Sequence, residues 1–317
     1  MTASAPVVSV VVPARDAAAT IERTLAALAA QDLDGAFEVV VVDDGSTDDT
    51  AAIARAAGGR VRVLEEPRRG AADARNRGVA AARAPVLAFT DADCFPSAGW
   101  LRAGLAALDS ADLVQGRVQP PPGEPLGPFD RTVWVDAERG FYETANLFVT
   151  RSLFERVGGF EDWLETGGEK LLAEDVWFGW RCVRAGARTG FAPEALVHHA
   201  IFPRGPLGYV DERRRFRYFP AIARKVPEFR RRTLFAGIFL SRRSAAFDAA
   251  AAGCIAARAA RSPLPLAAAL PYAAMVGRPA LPWRRRAASV AAVAVAADAV
   301  GFVSLLAGSV RWRSAVL

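Results

Sequence analysis

The chain has 317 residues with 40 Lys and Arg against 34 Asp and Glu, and its net charge of +6 averages two opposite regions. Residues 1–203 hold 20 basic and 29 acidic residues, a net charge of −9, whereas residues 204–317 hold 20 and 5, a net charge of +15. The apolar share of 52% excludes a disordered chain, and three scattered cysteines exclude a disulfide framework or a cysteine-based zinc cluster. We therefore predict a folded domain over 1–203 and a region of different character over 204–317.

Predicted strands and helices alternate through the first hundred residues. Apolar runs rich in β-branched residues predict strands, and segments of helical period between them predict helices. The strands are predicted at 7–12, 37–42, 61–64 and 86–90, and the helices around Ile21, Leu25 and Leu28, at 47–57 with Ser46 as N-cap, and at 71–82. This order is typical of βαβ units, so we expect an α/β fold with a mainly parallel, Rossmann-like sheet flanked by helices.

The remainder of the first region is less regular. Pro and Gly between 119 and 128 predict a loop, which either faces a substrate or is a plain surface connection. Beyond it, a strand is predicted at 144–150, a short helix at 152–157 that ends at Gly158-Gly159, and a helix at 175–184.

The region 204–317 combines basic and apolar segments. Arginines alternate with aromatic residues at 213–219 and 229–232, and apolar stretches follow at 233–257, 264–283 and 287–310. The last stretch has a single charged residue, Asp298, and about 20 apolar residues suffice to cross a bilayer. Three alternatives remain open: a membrane span, helices on the membrane surface, or a soluble helical subdomain. Apolar stretches beside the arginines favour lipid over nucleic acid as the partner.

Two acidic motifs directly follow predicted strands. Asp43-Asp44-Gly45-Ser46 follows the second strand, and Asp91-Ala92-Asp93 follows the fourth. Both motifs are therefore expected at the carboxyl edge of the sheet, where open α/β folds bind ligands. Asp91 and Asp93, two positions apart, are able to present two oxygen ligands to one Mg²⁺ or Mn²⁺. The alternatives are a solvated acidic turn at 91–93 and a helix N-terminus favoured by the acids at 43–44.

These motifs occur in a fixed order with Arg69–Gly78 between them, and together they resemble the family 2 glycosyltransferases. The resemblance extends over about residues 7–200. It implies a GT-A fold, an inverting mechanism and a nucleotide-sugar donor, and hence a glycosyltransferase, with a hexosyl group as the expected cargo.

The resemblance also implies roles for individual residues on the donor side. The turn after the first strand, with Pro13 and Arg15, would border the nucleotide, although the family often has an aromatic residue and an Asn where this chain has Arg15 and Asp16. Asp44 would form a hydrogen bond with the nucleobase of the donor, and Arg75 would lie near the diphosphate or sugar. Asn146 would lie beneath the donor sugar.

The resemblance implies further roles at the cation and on the acceptor side. Asp93 would be the main metal ligand, and Asp91 would contact ribose, the cation or a water bound to it. The segment 195–199 resembles the family's late strand and ends with the only two histidines of the chain, His198 and His199. By this resemblance, His199 is the preferred third metal ligand. The alternative for this histidine is packing or a substrate hydrogen bond. Cys94, beside this motif, is assigned no thiol chemistry.

The acidic pair Glu174-Asp175 opens a predicted helix. By resemblance, Asp175 would be the base that takes the proton of the acceptor hydroxyl, with Glu174, Gly159 and Phe160 near the acceptor. Two acids at a helix N-terminus are also ordinary, because they complement the helix dipole.

The sequence therefore predicts a cation-assisted glycosyltransferase that uses a UDP-, GDP- or dTDP-sugar and a glycan or lipid-linked acceptor. No signal-peptide pattern precedes the apolar run at 7–12, so we expect the site on the cytoplasmic face of the cell membrane, in envelope glycan or glycolipid synthesis. A non-catalytic membrane-tethered nucleotide-sugar-binding protein and a nucleotidyltransferase are the alternatives. The glycine-rich phosphate loops of dehydrogenases and P-loop enzymes are absent from the sequence.

Overall fold

The computed structural model describes residues 5–164 and 173–317. These residues form two compact units, one of residues 5–124, 132–164 and 173–201 and the other of residues 125–131 and 202–317. The first unit is an α/β fold built on one mixed sheet, and the second is helical, which confirms the predicted fold class.

Eight strands make up the sheet of the first unit. In chain order they are β1 (Val8–Ala14), β2 (Phe37–Asp44), β3 (Val61–Glu66), β4 (Val86–Phe89), β5 (Cys94–Pro96), β6 (Leu113–Gln119), β7 (Leu147–Thr150) and β8 (Thr189–His199). Their order in space is β3-β2-β1-β4-β7-β6-β8-β5. Strands β1 to β4 are mutually parallel, β7 runs antiparallel to β4 and β6, and β5 runs antiparallel to β8. The carboxyl ends of β1, β2 and β4 therefore share one edge.

The described residues of this unit contain six α-helices. They are α1 (Ile21–Ala29), α2 (Thr50–Ala56), α3 (Ala71–Ala81), α4 (Trp100–Leu108), α5 (Arg151–Val157) and α6 (Glu174–Arg184). The predicted apolar face of α1 is buried, since Ile21, Leu25 and Leu28 are at most 3% exposed. Helix α3 lies so close to β1 that a Cβ at Gly78 would come within 2.4 Å of Val11 Cγ1. Close packing of this kind requires glycine at that position.

Two local predictions are wrong. Helix α2 begins at Thr50 rather than near Thr47, and Ser46 does not cap it. The Ser46 hydroxyl instead accepts a hydrogen bond from the Asp16 backbone (3.0 Å), while Thr47 N donates to Asp16 Oδ1 (2.8 Å). The predicted strand 144–150 opens as a 3₁₀ turn over Thr144–Asn146 and becomes extended only at Leu147.

The second unit contains six α-helices in its described residues. They are α7 (Pro206–Asp211), α8 (Phe219–Lys225), α9 (Pro227–Arg232), α10 (Arg242–Ala260), α11 (Leu270–Ala280) and α12 (Ala287–Trp312). The helical run Leu264–Trp312 is, by length and composition, apolar enough to cross a membrane, with a mean hydropathy of 2.2 in its most apolar window. Its single acid, Asp298, is paired with Arg243 (2.8 Å) and accepts a hydrogen bond from Tyr272 (2.7 Å). The packing of α10, α11 and α12 therefore compensates the one charge of α12's apolar stretch.

Candidate active site

The acidic motifs meet at the carboxyl edge of the sheet. Asp44 ends β2, and its carboxylate accepts hydrogen bonds from the backbone of Arg69 (2.6 Å) and Gly70 (3.0 Å). It therefore holds the loop that leads into α3. Pro13 lies in β1 and Arg15 directly follows that strand, with the Arg15 guanidinium 3.6 Å from the Asp16 carboxylate. These residues share the edge at which we predicted the nucleotide, and their contacts with it stay predictions.

A buried arginine connects the Asp91-Ala92-Asp93 motif to the acidic pair Glu174-Asp175. The Arg75 side chain is 6% exposed and donates to Asp91 Oδ1 and to Glu174 Oε1, at 3.0 Å each. Burial alone would lower the pKa of Arg75, but Asp91 and Glu174 raise it above its usual value. Since α3, the turn after β4 and the first turn of α6 each supply one residue, the bridge brings the D-x-D turn next to Asp175.

Asp175 stands in surroundings suited to a base. It is partly exposed, and loss of solvent around its carboxyl raises its pKa well above the usual range, an effect that the neighbouring acids Glu174 and Glu143 increase. Burial also raises the pKa of Glu143 to about 7. Sequence reasoning missed Glu143. The signal that points to it is its position directly before the Thr144-Ala145-Asn146 segment.

The residues around Glu143 are fixed against α6. Trp180 Nε1 donates to the Gly140 carbonyl oxygen (3.0 Å), and the Tyr142 and Trp180 rings meet edge to face at 6.2 Å. Gly179 allows this approach. A Cβ at this position would lie 2.0 Å from Tyr142 Cδ2 and 2.2 Å from Tyr142 Cγ, which is too close. This packing explains how residues about 30 positions apart in the chain place two acids near each other.

A candidate metal centre lies at the junction of β5 and β8. Asp93, Cys94 and His199 each offer a ligand atom, and these atoms all lie within 4.8 Å of one another. Asp93 Oδ2 is 3.6 Å from His199 Nε2, and His199 Nδ1 is 2.7 Å from the Ala200 carbonyl oxygen. A carbonyl oxygen only accepts, so Nδ1 carries the proton and the lone pair of Nε2 is directed toward the Asp93 side.

The donor set fits a divalent cation. A carboxylate oxygen and a neutral imidazole nitrogen suit Mn²⁺, and the backbone contact of Nδ1 fixes the ring in the orientation common to histidine ligands. Asp93 and His199 are thus brought together as predicted, and their role as ligands stays a prediction. Asp91, which binds Arg75, is outside this three-residue group. His198 faces elsewhere, with Nδ1 3.2 Å from the Pro120 carbonyl oxygen.

The predicted donor residue Asn146 is fully buried within the protein. Its amide nitrogen donates to the carbonyl oxygens of Arg117 (2.8 Å) and Ala195 (2.7 Å), and its amide oxygen accepts from Trp100 Nε1 (2.8 Å). Asn146 therefore ties β6, β8 and α4 together beneath the site. A contact with the donor sugar stays a prediction.

We expect Asn146→Ala to lower the free energy of unfolding by at least about 1–3 kcal/mol, because buried partners of the amide lose their hydrogen bonds. Denaturant unfolding measures this loss. The opposite pattern, unchanged stability with weakened donor binding, would show that the amide acts on the donor rather than on the fold.

Two of the predicted acceptor residues, Gly159 and Phe160, pack against Asn76. Asn76 clamps the backbone of Phe160 from both sides, since its amide nitrogen donates to Phe160 O and its amide oxygen accepts from Phe160 N, at 2.9 Å each. The Phe160 ring is 3% exposed and lies 4.4 Å from the Phe178 ring. Gly159 has φ 72°, and a Cβ there would meet Asn76 Oδ1 at 2.7 Å. Their proximity to an acceptor stays a prediction.

Comparisons with known proteins identify the family of this chain. The model of "Glycosyl transferase family 2" matches residues 9–160, and that of "Glycosyl transferase family group 2" matches residues 134–296. Glycosyltransferase AglE of Haloferax volcanii is 33% identical over 222 residues, 65% of this chain and 71% of that protein. The pre-mycofactocin glycosyltransferase of Mycobacterium tuberculosis is 31% identical over 61% of this chain, and the match spans 42% of its length.

Solved structures share the fold. The mannosyltransferase PcManGT of Pyrobaculum calidifontis, in complex with GDP-Man and Mn²⁺, is similar with a TM-score of 0.63 and 24% identity over 94% of this chain and 88% of that one. The S. aureus TarS 1-349 structure in complex with UDP-GlcNAc is similar with a TM-score of 0.51 and 18% identity over 97% and 92%. Together with the family matches, these similarities show that the chain is a glycosyltransferase of family 2 with a GT-A fold.

Proposed function

We propose that this chain transfers a sugar from a nucleotide-sugar donor to an acceptor hydroxyl, with inversion at the anomeric carbon and with the help of a divalent cation. The observation that carries the proposal is the buried bridge from Asp91 through Arg75 to Glu174, with 3.0 Å at each end. It fixes the motif expected at the diphosphate beside the acid expected at the acceptor.

The chain's own groups supply the steps of transfer. Asp175 takes the proton of the acceptor hydroxyl as that oxygen bonds to the anomeric carbon, and the bond from this carbon to the diphosphate oxygen breaks on the opposite face. The raised pKa of Asp175 makes its carboxylate a stronger proton acceptor than an ordinary Asp. Asp93 and His199 would hold the cation, which offsets the charge on the departing diphosphate.

The donor is proposed to be a UDP-, GDP- or dTDP-sugar. The complexes of the two solved structures with GDP-Man and UDP-GlcNAc support this range, because both have the GT-A fold. Asp44, Pro13 and Arg15 are the proposed nucleotide contacts. A thermal-shift screen of nucleotide sugars with Mn²⁺ tests the donor, since a ligand that binds only the native state raises its melting temperature.

We expect EDTA to abolish transfer and Mn²⁺ to restore it. His199→Ala should raise the Mn²⁺ concentration needed for half-maximal activity at least about tenfold. Loss of a side chain that merely orients a metal ligand already lowers metal affinity by about that factor, and His199 is proposed as a ligand itself. His198→Ala is the matched control, since His198 faces the Pro120 carbonyl oxygen instead. Transfer that is indifferent to chelator would remove Asp93 and His199 from the role proposed here.

The second unit is proposed to associate with anionic membrane, with the acceptor a lipid-linked or envelope glycan at the cytoplasmic face. Large apolar side chains are exposed along its helices, including Leu264 (82%), Leu270 (69%) and Val310 (80%). The arginines at 284–286 are flanked by apolar helix on both sides. This combination favours an anionic lipid surface.

Vesicle flotation tests this association. Replacing Arg284, Arg285 and Arg286 by Gln should lower partitioning onto anionic vesicles about a hundredfold, because each arginine near the surface contributes about 1 kcal/mol. The same change at Arg55, Arg83 and Arg102, exposed arginines of the first unit, is the control. Flotation that survives both changes and high salt would indicate an inserted helix instead, and absence of flotation would contradict the proposal.

A further inference from the structure

The candidate metal centre contains a thiol next to its predicted ligands. Cys94 Sγ lies 3.9 Å from Asp93 Oδ1, and the other oxygen of this carboxylate, Oδ2, lies 3.6 Å from His199 Nε2. The three ligand atoms fall within 4.8 Å of one another. Among the residues that the structure describes, no other group of three His, Cys, Asp or Glu side chains meets this condition.

The placement of the thiol follows from strand pairing. β5 and β8 are antiparallel, and their register sets Cys94 directly opposite His199. Residues opposite each other in an antiparallel pair have Cβ atoms about 4.5–5.5 Å apart on the same face of the sheet. Asp93 is tied to the same ladder, because Ala200 N donates to its carbonyl oxygen (2.9 Å). The backbone thus places all three residues at the same end of the β5–β8 pair.

The distances between the possible ligand atoms are close to those between ligand atoms around a bound metal ion. In tetrahedral coordination, bonds of about 2.3 Å to sulfur and about 2.0–2.1 Å to nitrogen or oxygen place ligand atoms about 3.3–3.6 Å apart. The Asp93 carboxylate lies 3.6 Å from His199 Nε2 through Oδ2 and 3.9 Å from Cys94 Sγ through Oδ1, and both distances are within a few tenths of an ångström of this range. Since one atom of each side chain lies within 4.8 Å of the other two, Asp93, Cys94 and His199 are close enough together to share one ion.

We propose that Cys94 is a third protein ligand of the divalent cation, and that the centre accordingly prefers thiophilic cations such as Zn²⁺ and Co²⁺ over Mg²⁺. The inference rests on the cation site of the proposed function and names its third ligand and selectivity. A set of carboxylate, imidazole and thiolate suits Zn²⁺ and Co²⁺, whereas Mg²⁺ takes oxygen ligands almost alone. Zn²⁺ also binds a given site of this type more tightly than Mn²⁺.

Co²⁺ titration of the full-length chain tests the ligand directly. A Co–S bond gives a charge-transfer absorption in the near ultraviolet that oxygen and nitrogen ligands do not give. The chain carrying Cys254→Ser, which lacks the exposed thiol, is expected to show this absorption with one equivalent of Co²⁺. Its absence from that folded protein would overturn the proposal.

Two further variants in the same background complete the test. Cys94→Ser should abolish the absorption and lower the ratio of Zn²⁺ to Mn²⁺ affinity, measured by calorimetry, at least about tenfold. Cys182→Ser is the matched control, since Cys182 is equally buried on α6 but belongs to no such ligand group in the described part of the chain. An unchanged ratio in Cys94→Ser, or a lost absorption in Cys182→Ser, would contradict the assignment.

The outcomes also separate this inference from the proposed function. Mn²⁺-dependent sugar transfer without the Co–S absorption would remove Cys94 from the centre and leave the transferase assignment standing. The absorption without sugar transfer would leave the thiol-containing centre in place and remove the proposed reaction.

Discussion

Asp175→Asn is expected to reduce sugar transfer about 10²–10⁴-fold while cation-dependent nucleotide binding persists. The amide matches the carboxylate in size but cannot take the proton of the acceptor hydroxyl. Asp175, the proposed base, lies in the first turn of α6, and Arg75 joins Glu174 of that turn to Asp91. Since the substitution leaves all three members of this bridge in place, the loss should fall on kcat rather than on donor binding.

The pH dependence of transfer gives a second readout of Asp175. A base acts only when ionised, so kcat/KM should rise with pH through the pKa of Asp175, which lies well above the usual range of an Asp. Ionised Glu143 nearby contributes to this increase. Glu143→Gln removes that negative charge and should therefore move the acidic limb of the profile to lower pH. A limb that stays in place would show that Glu143 does not act on the base.

Asp112→Asn is a control for the loss of a carboxylate. Asp112 directly precedes β6, at the edge of the sheet opposite the carboxyl ends of β1, β2 and β4, and pairs with Arg188. We expect full transfer activity in this variant. If Asp175→Asn also transfers sugar at the normal rate, another group must accept the proton and the assignment of the base is wrong.

The first four strands and the edge at which Asp44 and Asp91 lie are predictable from the sequence, because hydrophobic period and strand ends are local properties. The metal group of Asp93 and His199 came from the family resemblance, and β5 explains their approach. That strand has only three residues, Cys94–Pro96, and is defined by its pairing with β8, about a hundred positions later in the chain. A pairing between such distant segments leaves no periodic signal in a segment this short.

Side-chain partners across the fold were the less predictable part. Serine is a common N-cap residue, but the Ser46 hydroxyl accepts a hydrogen bond from the Asp16 backbone and does not cap α2. Asn146 was assigned to the donor by resemblance, and the structure shows that Trp100, Arg117 and Ala195 use its amide. In both cases the hydrogen-bond partner lies on a segment about 30 positions or more away in the chain.

The bridge of Arg75 could not be read from the sequence for the same reason. Asp91 is 16 and Glu174 is 99 positions from Arg75. The family resemblance directed attention to the diphosphate as the partner of this arginine. The structure instead places its guanidinium between two acids, where it compensates a concentration of negative charge that also includes Asp175.

Arg75→Met is expected to lower the free energy of unfolding by about 3–5 kcal/mol, because removing one partner of a buried ion pair leaves the other charge uncompensated. Here two acids lose their partner, Asp91 with a side chain 31% exposed and Glu174 with one 12% exposed. Arg75→Lys should recover only part of the loss, since an ammonium group is a single point charge and lacks the planar fork that serves both acids. Denaturant unfolding of the three proteins measures the series.

Arg77→Met provides a matched control on the same helix. Arg77 also pairs with two acids, Glu66 (3.1 Å) and Asp73 (2.7 Å), but its side chain is 34% exposed. Water and salt screen such surface pairs, so the control should lose much less stability than Arg75→Met. If the two variants lose the same amount, burial does not set the worth of the bridge. If neither loses stability while Arg75→Met alone loses donor binding, Arg75 acts on the diphosphate, as the family resemblance implies, rather than on the two acids.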